Sequence, residues 1–233
     1  MKKTIKKVKF MRFIRKSKEN LLIKTFIKDF KNIAKKRERT NKRFSFVLTG
    51  GNSPIKLYKA LAKENIEWKN IDFFWGDERL VSKKSKYSNF NLANTNILKK
   101  IEVDKKQLYS MDINRSSVLI TSKKYSSKIK RYFKNKKIKF DVILLGMGND
   151  GHIASIFQND LNLKSNKITR PVLREDFKRI TLNIKIINNA KNIYLWLNSK
   201  KKFGIYKKLI LRKKSRTPVS FLNKKKLFVF CIS

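Results

Sequence analysis

Histidine occurs once in this 233-residue chain, cysteine once, proline three times and glycine seven times. A single cysteine, Cys231, forbids an internal disulfide, and one His with one Cys and no clustered carboxylates offers none of the spacings that hold zinc. No metal or cofactor is therefore expected, and a reducing cytoplasm is the natural setting. Scarce proline and glycine leave no linker, so one domain over residues 1–233 is expected. No apolar run approaches the roughly 20 residues needed to span a bilayer. The amino-terminal stretch MKKTIKKVKFMRFIRK is basic, but Arg12 and Arg15 break its apolar residues, so it lacks the uninterrupted core of a signal peptide. Acidic residues are also scarce: 16 Asp and Glu face 60 Lys and Arg, a formal charge of +44.

Such a surface can bind nucleic acid without sequence preference, through phosphate contacts that release counterions. The lysines are scattered rather than gathered in one tail, and they accompany many Ile and Asn, the mixture that AT-rich codon drift produces. Drift is the preferred explanation, with at most non-specific nucleic-acid binding expected, and a basic ribosome- or RNA-associated protein stands as the alternative function from a different class. Its field should also speed encounter with an anionic substrate.

With 41% hydrophobic residues, a chain of this length can bury one substantial core. Leu21, Leu22, Phe26, Ile27, Phe30, Ile33 and Ala34 recur at helical spacing and predict a first helix. Strands are expected at Phe44–Leu48, Ile71–Trp75, 107–111, Val142–Leu145, 179–183, Asn192–Leu197 and 227–231. Helices are expected near 89–98, 118–135 and 200–212. This alternation predicts an α/β fold with a mostly parallel sheet and helices on both faces.

The segment FDVILLGMGNDGHIASIF, residues 140–157, holds the only histidine. Val142 to Leu145 form a continuous apolar run, as in a strand covered on both faces. Gly146, Gly148 and Gly151 follow, giving a turn that lets a ligand approach the backbone. Asp150 and His152 would lie at the carboxyl end of that strand, the usual ligand crevice of open α/β sheets, with a helix opening over 153–157. A glycine turn after a strand is also common without any function.

Two further segments have the same strand-then-turn form. In FSFVLTGGNSPIKLYKALA, residues 44–62, a strand runs into Gly50, Gly51 and Asn52, with Ser53 and Pro54 read as the N-cap and first residue of a helix. Free amides there would cradle an anion. In IDFFWGDERLVSKKSKYSNF, residues 71–90, Asp77, Glu78 and Arg79 follow an apolar strand. They are either a solvated turn with a local ion pair or site groups held at the sheet edge. The planar guanidinium of Arg79 suits carboxyl or phosphoryl oxygens.

The strings LTGGNSP, FFWGDERLV with its later SN, and LLGMGNDGHIASIF together resemble the 6-phosphogluconolactonases, relatives of the glucosamine-6-phosphate deaminases. RITLNIKIINNAKNIYLWLNSKKK at 179–202 and TPVSFL at 217–222 extend the resemblance across nearly the whole chain. It implies a Rossmann-like domain and hydrolysis of a phosphorylated sugar lactone, with His152, Asp150 and Arg79 as catalytic groups. It also implies that Gly50, Gly51, Asn52, Ser53, Lys202 and Arg179 hold the phosphate, with Asp77 and Gly148 in support. The deaminase branch carries an Asn-Glu-Pro string after its histidine, whereas Ser155, Ile156, Phe157, Gln158 and Asn159 contain no carboxylate, which favours the lactonase. Departures from the family pattern fall at Asn52, Ser85, Tyr87, Asn198 and Ser199, and the Pro-rich approach to the RIT strand is missing.

Overall fold

The computed structural model describes residues 11–113, 117–211 and 216–233. The basic stretch over 1–10 and the expected helix end at Arg212 lie outside them. In chain order the elements are β1 (Arg12–Lys16), α1 (Glu19–Glu38), β2 (Phe44–Leu48), α2 (Ile55–Leu61), β3 (Ile71–Trp75), β4 (Asp77–Arg79), α3 (Asn89–Asn96) and β5 (Leu108–Tyr109). There follow α4 (Val118–Tyr132), β6 (Val142–Leu145), β7 (Thr169–Val172), β8 (Arg179–Leu182), α5 (Ile184–Asn189), β9 (Asn192–Leu197), α6 (Lys200–Leu211) and β10 (Leu227–Ile232).

Seven strands form one sheet in the order β1-β10-β9-β6-β2-β3-β5, and every pairing within it is parallel. All residues of β2, β3 and β6 are buried, because helices cover both faces and leave no polar side. The register shows how. Phe46, Phe73, Tyr194 and Phe230 project to one face, where Phe26 and Phe30 of α1 meet Phe46, Tyr194 and Phe230 at ring separations of 4.9–5.4 Å. Phe74 projects to the other face, onto Tyr132 of α4 at 4.9 Å.

A smaller antiparallel sheet, β4-β8-β7, hangs from the carboxyl end of β3. The strand expected over 179–183 is present as β8 and lies in this second sheet: β8 pairs with β4 and β7, and Leu182 N–H donates to Gly76 O at 2.8 Å. The expected strand over 107–111 shortens to Leu108–Tyr109, since Gln107 turns its amide onto the carbonyls of Trp68 and Ile71, both at 2.6 Å. Strand β1 was not anticipated from its charged sequence. It adds to β10 as the sheet edge.

Candidate active site

The turns after β2, β3 and β6 open onto one cavity of about 970 Å³ at the carboxyl edge of the main sheet. Gly50, Gly51, Asn52, Ser53, Asp77, Arg79, Gly148, His152, Arg179 and Lys202 all line it. Sequence segments up to about 150 residues apart are thus brought together. Asp150 stands behind His152: its Oδ1 lies 2.6 Å from the ring Nδ1 and accepts the His152 backbone N–H at 3.2 Å. Burial pushes the Asp150 carboxyl up, but the His152 amide, charge and ring bond outweigh it and leave the group below its ordinary value.

The turn carrying this pair is held from both sides. Gly148 N–H donates to His152 O at 2.9 Å, and Val219 N–H donates to Gly151 O at 3.1 Å. Gly151 takes φ +84°, and a Cβ there would lie 2.8 Å from Thr217, so only glycine fits the turn and the TPVSFL segment beneath it. At Gly148 a Cβ would lie 2.1 Å from the imidazole. The expected helix over 153–157 is absent. Instead Ile153 and Ile156 form an isolated bridge with Ala154 at φ +48°, because both isoleucines bury in the core and pull the chain into a tight turn.

The turn after β2 also differs from expectation. Pro54 is the N-cap of the seven-residue α2, and no side chain caps it, so Ser53 does not act as N-cap. Its carbonyl is anchored by the Trp196 indole N–H at 3.1 Å. Gly51 takes φ +78°, where a side chain would be strained. Among the described residues, the amides of Gly51, Asn52 and Ser53 donate to no protein acceptor.

Asp77 is half-buried and accepts the Ser155 hydroxyl at 2.5 Å and the Asn89 side-chain amide at 3.3 Å. Burial raises its carboxyl above the ordinary value, against that hydroxyl bond and the charges of Arg79, His152 and Arg179. Glu78 turns inward and accepts the backbone N–H groups of Arg79, Asn89 and Phe90 and the Ser88 hydroxyl, at 2.7–3.0 Å. The DER string is therefore neither a solvated turn nor a local ion pair. It fixes the start of α3 and the side chains around the cavity.

Arg79 donates to Tyr87 O at 3.0 Å, and Arg179 makes a two-pronged pair with Asp176 at 2.8 and 2.5 Å. Lys202 donates to Met147 O at 2.5 Å, and burial lowers its ammonium below the ordinary value. The departures find local uses. Ser199 Oγ accepts Lys202 N–H at 3.2 Å at the start of α6, and Asn198 donates to Glu19 at 2.9 Å. Ser85 Oγ accepts Tyr87 N–H at 3.2 Å.

Sequence reasoning missed Asn89, Ser155, Phe157, Arg174 and Asp176 as lining residues. Asn89 was visible only as the SN string, and it explains Gly50: a Cβ there would overlap Asn89 Oδ1 at 1.9 Å. Among the described residues, no group of three or more His, Cys, Asp or Glu side chains is placed to hold a metal ion. No described helix is long and apolar enough to cross a membrane.

A parallel sheet covered on both faces, with a polar, cation-lined cleft at its carboxyl edge, places the chain in the α/β class whose members bind ligands in that crevice. Residues 17–230 match the family described as glucosamine-6-phosphate isomerases/6-phosphogluconolactonase, and the chain belongs to that family. A Treponema pallidum 6-phosphogluconolactonase is 30% identical over 177 residues, 71% of this chain and 72% of that protein. A Nostoc 6-phosphogluconolactonase is 32% identical over 155 residues, 65% of each chain, so the match spans just under two thirds of that relative. Among solved structures, the Thermotoga maritima 6-phosphogluconolactonase superposes with a TM-score of 0.83 at 23% identity, covering 95% of this chain and 98% of that one. The Trypanosoma cruzi 6-phosphogluconolactonase gives 0.82 at 27% identity, covering 95% and 94%.

Proposed function

We propose that this protein hydrolyses 6-phospho-D-glucono-1,5-lactone to 6-phosphogluconate, the lactone-opening step of the oxidative pentose phosphate pathway. The observation that carries this reading is the Asp150–His152 pair at the edge of a cavity whose other wall offers free backbone amides and cations. Opening a lactone needs an activated water, a counter-charge for the carbonyl oxygen, and a proton for the departing ring oxygen. Asp150 holds the Nδ1 side of the imidazole, leaving Nε2 to take the proton from water and return it to the leaving oxygen. Neutral imidazole accepts a proton and imidazolium gives one up, so the one ring can serve in both directions.

Arg79, fixed by the Tyr87 carbonyl, supplies positive charge to the developing oxyanion. The amides of Gly51, Asn52 and Ser53, with Lys202 and Arg179, bind the phosphoryl group and so hold the carbonyl carbon against the water and His152. Asp77 positions the site through Ser155 and Asn89 rather than touching substrate. The stretch after His152, Ser155 to Asn159, lacks the carboxylate of the deaminase branch. The test is hydrolysis of freshly generated lactone, corrected for spontaneous opening, with glucosamine 6-phosphate assayed in parallel. Rapid lactone opening without ammonia release is expected; ammonia release would move the protein to the deaminase branch.

A further inference from the structure

A cluster of arginines on the cleft wall is only partly used by this chemistry. Arg79 and Arg179 are register partners in the β4–β8 ladder, so their side chains leave the same face of the small sheet. Like charges so placed repel, which negative charge on a bound substrate would relieve. Both guanidinium groups flank the Phe177 ring, at 5.5 and 5.8 Å from its centroid. In the free protein Asp176 occupies the Arg179 fork with two bonds, the geometry that a pair of phosphoryl oxygens would take.

The same loop brings a third guanidinium. Arg174 lies 4.4 Å over the Phe157 ring, which also flanks Arg179 at 5.7 Å and the His152 ring at 4.7 Å. The loop's ion pair goes to Arg179 and leaves Arg174 without a carboxylate among the described residues. Arg174 sits where the Pro-rich approach to the RIT strand is missing, and it lines the cavity.

We propose that Arg174 is an additional phosphate-binding residue of this chain and that Asp176 competes with the phosphoryl group for Arg179, so that the loop from 173 to 177 sets substrate affinity. This rests on the lactonase reading. The phosphoryl group is the anion in question because it is the only ionised group on the intact lactone. Aromatic stacking holds the Arg174 fork in place, so little side-chain freedom is lost on binding. The opposite roles of the two residues give opposite signs.

The experiment uses the full chain and the variants Arg174→Gln and Asp176→Asn, both at exposed positions. Its probes are the lactone for turnover and sorbitol 6-phosphate, which has the phosphate but neither lactone nor carboxylate, for calorimetric binding. Arg174→Gln should weaken sorbitol 6-phosphate and raise KM by about tenfold with kcat held within about twofold. Asp176→Asn should tighten both by a few-fold. Unchanged sorbitol 6-phosphate affinity in Arg174→Gln would overturn the assignment, and a KM that rises without it would do so by pointing to a contact with the lactone ring instead of the phosphoryl group. A tightening that fails to appear in Asp176→Asn would overturn the competition. A wild-type protein that neither opens the lactone nor binds sorbitol 6-phosphate would remove the lactonase reading, and this proposal with it.

Discussion

The two edges of the main sheet carry similar side chains in opposite states of pairing. At the amino edge Asp141 is buried and accepts the Ser45 N–H and hydroxyl, both at 2.9 Å, with Lys191 Nζ at 2.7 Å and Arg37 Nε at 3.1 Å. Beside it Asp72 takes both arms of Arg43 at 2.5 Å. Each carboxylate oxygen there faces a donor or a cation, and the buried charges are neutralised. At the carboxyl edge, Arg79 and Arg179 face one another across a ladder, and Gly51, Asn52 and Ser53 line an open cavity; among the described residues their amides have no protein acceptor and His152 is bonded on one ring nitrogen. Polar groups left incompletely paired in a cleft are poised for a ligand, whereas the same groups fully paired are structural.

Disrupting each edge in turn should therefore have different consequences. Asp141→Ala leaves Lys191, Arg37 and Ser45 without their shared acceptor, and should cost about 3 kcal/mol in denaturant unfolding. Turnover per folded molecule should stay unchanged; a large loss of kcat with full stability would contradict the division. Gly148→Ala does the reverse. Its Cβ would press on the imidazole and on Asp150 Oδ1, at 2.1 and 2.7 Å, and kcat should fall by roughly 10- to 100-fold while the melting temperature moves little.

Salt sharpens the same contrast at lower amplitude. The +44 charge acts through solvent, so raising ionic strength from about 0.01 to 0.15 M should lower kcat/KM by a few-fold while kcat holds. A kcat/KM indifferent to salt would rule out steering, and RNA retained at physiological salt would favour the nucleic-acid alternative. The smallest effect concerns Asp77. Burial raises its carboxyl in the folded state, so the folded protein holds that proton more tightly than the unfolded chain. Stability should decline gently as pH rises from the ordinary Asp value through the raised one. Asp77→Asn should flatten that slope, as read from melting temperatures across pH, leaving the part that comes from Glu78, whose carboxyl burial also raises.

What could be read from sequence follows from how each element is stabilised. Strands β2, β3, β6, β9 and β10 lie inside a sheet covered on both faces, so burial leaves continuous apolar runs that are visible directly. Strand β1, RFIRK, is a half-exposed edge whose charges mask it. Strand β4 is three charged residues, and its pairing with β8 depends on a strand about 100 residues later. The helix expected over 153–157 had an apolar pattern, but the isoleucines serve the core through a turn instead. The glycine turns, Asp150, His152 and Arg79 were legible because their chemistry is local. Asn89, Arg174 and Asp176 reach the cavity only through tertiary packing, and the Asp176 bond to Arg179 has no pattern that distinguishes it among so many charges.

The most direct test of the account is the turnover of lactone by His152→Ala beside the wild type, with the melting temperature of each. The imidazole contributes acid–base catalysis worth about 10²- to 10⁴-fold, so the variant should lose that much in kcat while melting as the wild type does. A His152→Ala protein that opens the lactone at the wild-type rate would contradict the assignment of chemistry to the carboxyl edge through this residue.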